Sequence, residues 1–162
     1  MAEESNPFLR LWRKIWNDQD FIALDPDSKL AYILLLGQPD ITVSGVMTLA
    51  VGRWSTRAGM VKDRMWAALR NLDAAKFIVL DEDTEELLIR TRLRNDIFVG
   101  ASWQTQKGAL NFALKAISPR IREVLAEEID RCRPLMNTAK NIPEHADVIV
   151  KQLMNGEAGL DA

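Results

Sequence analysis

Six side chains between Thr48 and Lys76 are suited to neutralising phosphate: Arg53, Arg57, Lys62, Arg64, Arg70 and Lys76. Asp63 and Asp73 oppose them, and six cations against two carboxylates leave a local charge of +4. A guanidinium binds phosphate oxygens or the acceptor edge of guanine through a rigid fork, whereas lysine supplies a mobile point charge. Together they suit recognition of DNA, with phosphate contacts fixing position and a few base-edge contacts fixing sequence. The whole chain carries a formal charge of −2 over 162 residues, which argues against a protein that coats nucleic acid indiscriminately. A basic face on an acidic protein fits specific binding better.

A second cationic set lies further on. Arg90, Arg92 and Arg94 alternate with Ile89, Thr91 and Leu93, and on a strand this alternation presents three arginines on one side. They are read as a phosphate-contacting strip, with a solvated face or pairing with nearby acid as the bland alternatives. Other chemistries find little support. One cysteine, Cys132, excludes an internal disulfide, and with His145 as the one imidazole there is no zinc-ligand cluster. Asp81, Asp83, Glu85 and Glu86 supply the hard oxygens that calcium or magnesium prefers, yet their spacing fits a plain turn. No phosphate-binding glycine loop, dinucleotide motif or nucleophile elbow is present, so neither catalysis nor a cofactor is expected.

The elements that must position the basic residues can be read from periodicity. Gly45 marks a turn, and a helix-length segment then runs to Ala58-Gly59. Beyond it Val61, Met65, Ala68, Leu69 and Leu72 share one face of a stronger helix, leaving Lys62, Arg64, Arg70 and Asn71 opposite. Phe77-Ile78-Val79-Leu80 and Leu87-Leu88-Ile89 flank Asp81-Glu82-Asp83-Thr84-Glu85-Glu86, an acidic turn that closes a two-stranded ribbon. Helix, turn, helix, hairpin is the pattern of a winged helix-turn-helix, which lays its second helix in the major groove. On that reading Arg57 and Lys62, near the start of the reading helix, rank with Arg64 above Arg70.

Upstream, Phe8 to Trp16 suits either a helical stripe or an edge strand. Asp25-Pro26 starts a helix running through Leu30, Ile33, Leu34 and Leu36 to Gly37. Its circumference is rich enough in leucine to predict a central core helix. Ile41-Thr42-Val43 and Val46-Met47 are expected to pair around Ser44-Gly45. Leu11-Trp12-Arg13-Lys14-Ile15-Trp16, the Asp20-Phe21 and Leu24 step, the Asp27-to-Leu36 helix with Tyr32, and the hairpin from Phe77 to Leu88 together resemble the winged-helix domain of phage and plasmid replication-initiator or replisome-organiser proteins, most of all those of actinobacterial phages. The resemblance covers about residues 8 to 96. It implies that Val61 through Leu72 reads DNA and that the protein acts in replication initiation. A transcriptional regulator on the same fold, or a module docking a host or phage protein, are the alternatives. The chain departs from the family in Asp63, which interrupts the basic face, and in an acidic wing that phosphate would repel.

The remainder reads as helical. Ser102 caps a helix with Trp103, Leu110, Ala113, Leu114 and Ile117 on one side, and Ser118-Pro119 restarts a second with Ile121, Leu125, Ile129 and Cys132 in line. The two should fold back as an antiparallel hairpin that caps the first domain, forms a homodimer seam or meets another replication protein. A last short helix is expected from Pro143 to about Leu153. The organisation is therefore α+β, mainly α with a small β-hairpin: a flexible N-terminus at 1–7, a winged helix-turn-helix at 8–96, a helical hairpin at 97–134, and a tail at 135–162 disordered from Gly156. Five tryptophans offer base-stacking platforms or, more ordinarily, core anchors. No apolar run approaches the ~20 residues needed to cross a bilayer, and the acidic N-terminus is unlike a secretory signal. A cytoplasmic location is expected.

Overall fold

The computed structural model describes residues 8–156; the expectations of flexibility at 1–7 and disorder at 157–162 lie outside them. The described residues are mainly helical, with one small three-stranded antiparallel sheet. Residues 8–17, left open between helix and edge strand, contain a 3-10 turn at Arg13–Asn17 and no strand. Asp18 then caps α1 (Gln19–Ile22), its Oδ1 accepting from the Asp20 and Phe21 amides. Asp25 caps α2 (Pro26–Leu36), accepting from the Ser28 amide at 2.9 Å and the Ser28 hydroxyl at 2.7 Å. Those bonds hold the Asp25 carboxyl below the usual range. α2 buries one stripe, Ser28, Ala31, Tyr32 and Leu35, while Leu30 is 44% exposed. α3 and α4 pack along it, and Phe21 and Phe77 pack against its Tyr32.

Ile41–Val43 is not a strand. Thr42 instead closes a tight turn onto the Val46 carbonyl through both its amide (3.2 Å) and its hydroxyl (2.7 Å). β1 (Val46–Thr48) pairs with β3 (Glu86–Ile89), which also pairs with β2 (Ile78–Asp81), so the sheet order is β1-β3-β2. Gly45 permits this close approach: its φ is +91°, and a Cβ there would lie 2.8 Å from the Arg92 Cβ and 2.9 Å from the Ile89 carbonyl. Between β1 and β2 run α3 (Val51–Ala58) and α4 (Lys62–Ala74). Gly59, at φ +67°, ends α3 in the left-handed region and turns the chain into α4.

Both faces of the sheet are covered. Met47, Ile78, Leu80, Leu87 and Ile89 belong to a cluster with Trp54, Met65, Leu69 and Leu72 of α3 and α4. Val46, Val79 and Leu88, the alternate positions, belong to a second cluster built by the C-terminal helices. The unbroken apolar runs of β2 and β3 follow from this, since a strand buried on both sides has no polar face to alternate with.

The strand expected to carry Arg90, Arg92 and Arg94 ends at Ile89. Residues 91–97 coil into helical turns with a π turn at Leu93–Ile97, because Leu93, Ile97 and Phe98 recur at helical spacing and bury together in the second cluster. α5 (Trp103–Ala113) and α6 (Pro119–Cys132) start at the Ser102 and Ser118 caps. They do not form a simple hairpin, because α7 (Ile142–Met154) packs against both far more extensively than they pack on each other. The last helix is thus a core element whose Ile142, Ala146, Ile149 and Leu153 are buried. Ile117, expected on the apolar side of α5, lies past the end of that helix and is 71% exposed.

Candidate nucleic-acid interface

The turn at Gly59 brings the first basic set together. Arg53 and Arg57 stand one turn apart on α3, both exposed, and Lys62 opens α4 with its chain lying over Gly52. Lys62, Trp66 and Arg70 follow at four-residue spacing, which aligns them along one stripe of α4, with Lys62 and Arg70 exposed and Trp66 half-buried against the core. The Arg70 guanidinium sits 5.3 Å from the centroid of the Trp66 ring, a cation–π contact that keeps a charged fork at the surface without fixing its nitrogens. Arg64 lies off this stripe. Its fork closes on Asp27 of α2 with contacts of 2.9 and 2.7 Å, and Asn71 donates to the capping Asp25 at 3.1 Å. These bonds tie α4 to the start of α2, and the Arg64 pairing lowers the Asp27 carboxyl and raises the guanidinium.

Other arginines of the set also meet acceptors from outside the window in which the +4 was counted. Arg53 reaches Asp40 at 3.1 Å, Arg57 donates to the Gln38 amide oxygen, and Arg70 lies 3.5 Å from Glu82. The two ion pairs are exposed, so each is worth ~1 kcal/mol or less and exchanges readily with a competing anion, whereas the Gln38 that holds Arg57 is buried. Among the described residues Lys62 has no ion pair. Nothing local in the sequence marks Asp27 or Asp40 as counter-charges, because they arrive from other elements; the Trp66 and Arg70 pairing, by contrast, is visible as a four-residue spacing.

Arg90 and Arg92 do not form the expected strip. Arg90 is only 14% exposed and pairs with Glu128 at 3.1 Å and Glu127 at 3.9 Å on α6, while Arg92 pairs with Asp96 at 3.0 Å one helical turn on. Arg90 thus ties the end of β3 to α6, and Arg92 braces the segment that follows, which folds as helix against α6.

The acidic turn is likewise committed. Glu86 accepts from the amide of Ile117 at 3.0 and 3.1 Å and from the amide of Ser118 at 2.7 Å. Asp81 accepts from the Ser118 hydroxyl and, through Oδ1, from the amides of Asp83 and Thr84. A carboxylate at the mouth of a helix is favoured by its free amides and its dipole. The Ser118 hydroxyl is also the main reason the Asp81 carboxyl is held below its ordinary 3.8. Arg120 adds bonds to the Leu80 carbonyl and to Asp73. Two of the five carboxylates in the turn are therefore spent on α6, and Glu82 faces Arg70.

The remaining residues of chemical interest divide between core and surface. Trp54 is fully buried, Trp103 half-buried beside Lys140, and Trp12 and Trp16 exposed. His145 bonds Asn111 at 2.7 Å and is held below its usual pKa by burial and by Lys107. Cys132 is buried, and burial and then Glu128 push its thiol up to about 11. Among the described residues no three His, Cys, Asp or Glu side chains gather for a metal, and no helix is long and apolar enough to cross a membrane. The chain matches no protein-family model, and comparison with curated proteins and with solved structures finds no match.

Proposed function

We propose that residues 26–89 form a winged helix-turn-helix that binds double-stranded DNA sequence-specifically, with α4 as the helix that enters the major groove. The observation that carries this reading is the element order. A helix, a strand, two helices joined at a left-handed glycine, and two strands closing a β1-β3-β2 sheet are the parts such a module needs to hold one helix proud of a small sheet. The stripe of Lys62, Trp66 and Arg70 supplies the reading surface, and Arg53 and Arg57 of α3 supply phosphate contacts. Arg64 acts through its grip on Asp27, keeping α4 seated on α2.

The hairpin takes no part in the groove. Its tip carries acid and its flanks are tied to α6, so α3 and α4 make the contacts alone. The same bonding weakens the alternative in which the acidic turn docks a protein partner, since Asp81 and Glu86 are engaged within the chain. The sequence resemblance to replication initiators suggests an origin as the target, and a promoter would use the same surface. The protein would act as a binding module, without catalysis or cofactor.

Fluorescence anisotropy against random and selection-enriched duplex pools across a salt series tests this. Enriched duplex should bind far more tightly, and Lys62→Glu with Arg70→Glu should weaken it at least tenfold and lower the log–log salt slope by about 2. Arg64→Glu is a poor probe, because it also breaks the α2–α4 junction. Unchanged binding by the Lys62/Arg70 double variant would sink the proposal.

A further inference from the structure

We propose that residues 8–17, with the cleft beside them, bind single-stranded nucleic acid at a site separate from the α3–α4 face. Phe8, Trp12 and Trp16 are 79%, 44% and 59% exposed. Three open rings within nine residues are unusual on a protein whose Trp54, Phe21 and Phe98 are fully buried. Trp16 is held by a perpendicular contact with Phe21 at 5.6 Å, so its position is set while much of its surface stays open.

Arg10, Arg13 and Lys14 are interleaved with the rings, all exposed, and none has a carboxylate partner among the described residues. This differs from α3 and α4, where Arg53, Arg64 and Arg70 each face an acid. Lys14 Nζ lies 6.0 Å from the Trp12 ring centroid, which puts a cation and a π-face side by side. Behind them opens a cleft of about 560 Å³, lined by Tyr32, Leu36 and Phe77 and by Arg94, Asn17 and Asn95. Asp18, Asp20 and Asp96 also border it. Asp18 is occupied as the cap of α1 and Asp96 pairs with Arg92 at 3.0 Å, leaving Asp20 as the carboxylate with no such partner against Arg10, Lys14 and Arg94.

Rings to stack on, cations along them with no carboxylate partner among the described residues, and amides in a cleft of mixed polarity are what a strand of nucleotides with free bases requires. A duplex cannot use the rings, because its base faces are already stacked. A lipid surface would use rings and cations but not the amides. None of the residues lining the cleft belongs to α3 or α4, so the site does not depend on the duplex-binding reading.

The test uses the full chain and fluorescein-labelled oligothymidine of about twenty nucleotides, read by anisotropy and by quenching of tryptophan emission. Saturable binding is expected. Trp12→Ala with Trp16→Ala should weaken it at least about fivefold, and Trp12→Phe should largely restore the Trp12 contribution. Arg13→Glu with Lys14→Glu, at exposed positions outside the Trp16–Phe21 contact, should weaken it comparably and guards against disturbance of that contact. Duplex affinity should be unchanged in these variants, and oligothymidine binding unchanged in Lys62→Glu/Arg70→Glu. The proposal is overturned if oligothymidine does not saturate or if both N-terminal pairs bind it like the parent. It is equally overturned if they lose duplex and single strand in proportion, or if phosphatidylserine vesicles bind where oligothymidine does not.

Discussion

Charge is handled in opposite ways on the two sides of the sheet. On the α2–α4 side cations meet carboxylates in the open: Arg53 and Asp40 are 47% and 40% exposed, Arg70 and Glu82 62% and 54%. The α6 side carries exposed pairs too, such as Arg133 with Asp130, but it alone takes charged groups of this kind inside, with Glu128 at 1%, Arg122 at 7% and Glu86 at 9% exposure. Exposed pairs are worth little and re-form with whatever anion arrives, whereas removing one partner of a buried network strands the other in a medium that cannot solvate it. One side is built to be re-paired and the other to stay shut. The proposed DNA-binding surface, which would trade carboxylates for phosphates, belongs on the first. The second fixes the hairpin, giving α4 a rigid sheet to rest on.

The strongest way to break this comparison is at Arg122. Its guanidinium donates to the carbonyls of Leu114 and Ala116 just past α5, both at 3.0 Å, and of Gln152 and Leu153 in the last turn of α7, at 3.1 and 3.4 Å. The carbonyls of Leu114, Ala116 and Gln152 would lose this donor together, while Leu153 keeps a long bond from the Gly156 amide. Arg122→Ala should cost about 3–5 kcal/mol and lower the thermal midpoint by roughly 10 °C, followed by circular dichroism. A midpoint within ~2 °C of the parent would show that the buried charges on this side are incidental.

A smaller effect is expected at the clamp between the hairpin and α6. Glu86→Gln keeps the shape but removes the charge facing two helix-start amides, and should cost about 1–2 kcal/mol. Asp81 gives the pH dependence of the same clamp. Its folded pKa lies below the ordinary 3.8, so its contribution is complete above the unfolded pKa and is lost as pH falls through the folded one. Thermal midpoints taken downward from about pH 5 should therefore fall more steeply for the parent than for Asp81→Asn. Parallel curves would mean that the Ser118 contact adds nothing.

The clamp also marks where the sequence stops being legible. Local signals were readable: Asp25-Pro26, Ser102 and Ser118-Pro119 start helices where their side-chain oxygens reach free amides, and Gly59 ends α3 because it can adopt φ +67°. What was not readable depends on partners distant in the chain. The acid of the hairpin looked free because Ser118 is 37 residues from Asp81, and the window charge looked unopposed because Asp27 is 37 residues from Arg64. Arg90 to Arg94 alternated like a strand, but Leu93, Ile97 and Phe98 outweigh them by burying at helical spacing. The unbroken Ile78-Val79-Leu80 and Leu87-Leu88-Ile89 did carry a usable signal: strands with no polar alternation have two covered faces, which already argues against a free-standing hairpin.

The smallest expected effect sharpens the comparison most. If the pairs on the α3–α4 side are held only until phosphate arrives, deleting an acid should leave the fold alone and improve DNA binding. Asp40→Asn removes the partner of Arg53 without changing shape, and should shift stability by no more than about 0.5 kcal/mol. Duplex affinity should rise about twofold to fivefold at low salt, since Arg53 no longer has a carboxylate to leave, and the gain should shrink as salt screens both contacts. Asp27→Asn is the discriminating companion. Arg64 grips Asp27 with two bonds and Asn71 grips the neighbouring cap, so this variant should gain less DNA affinity than Asp40→Asn and should loosen α2 against α4, seen as faster amide exchange at Ser28 and Lys29. Equal gains from both variants with unchanged exchange would make Arg64 another exchangeable cation and restore it to the reading surface. A loss of affinity on Asp27→Asn would instead show that the seating of α4 on α2 matters more to binding than the charge Arg64 carries.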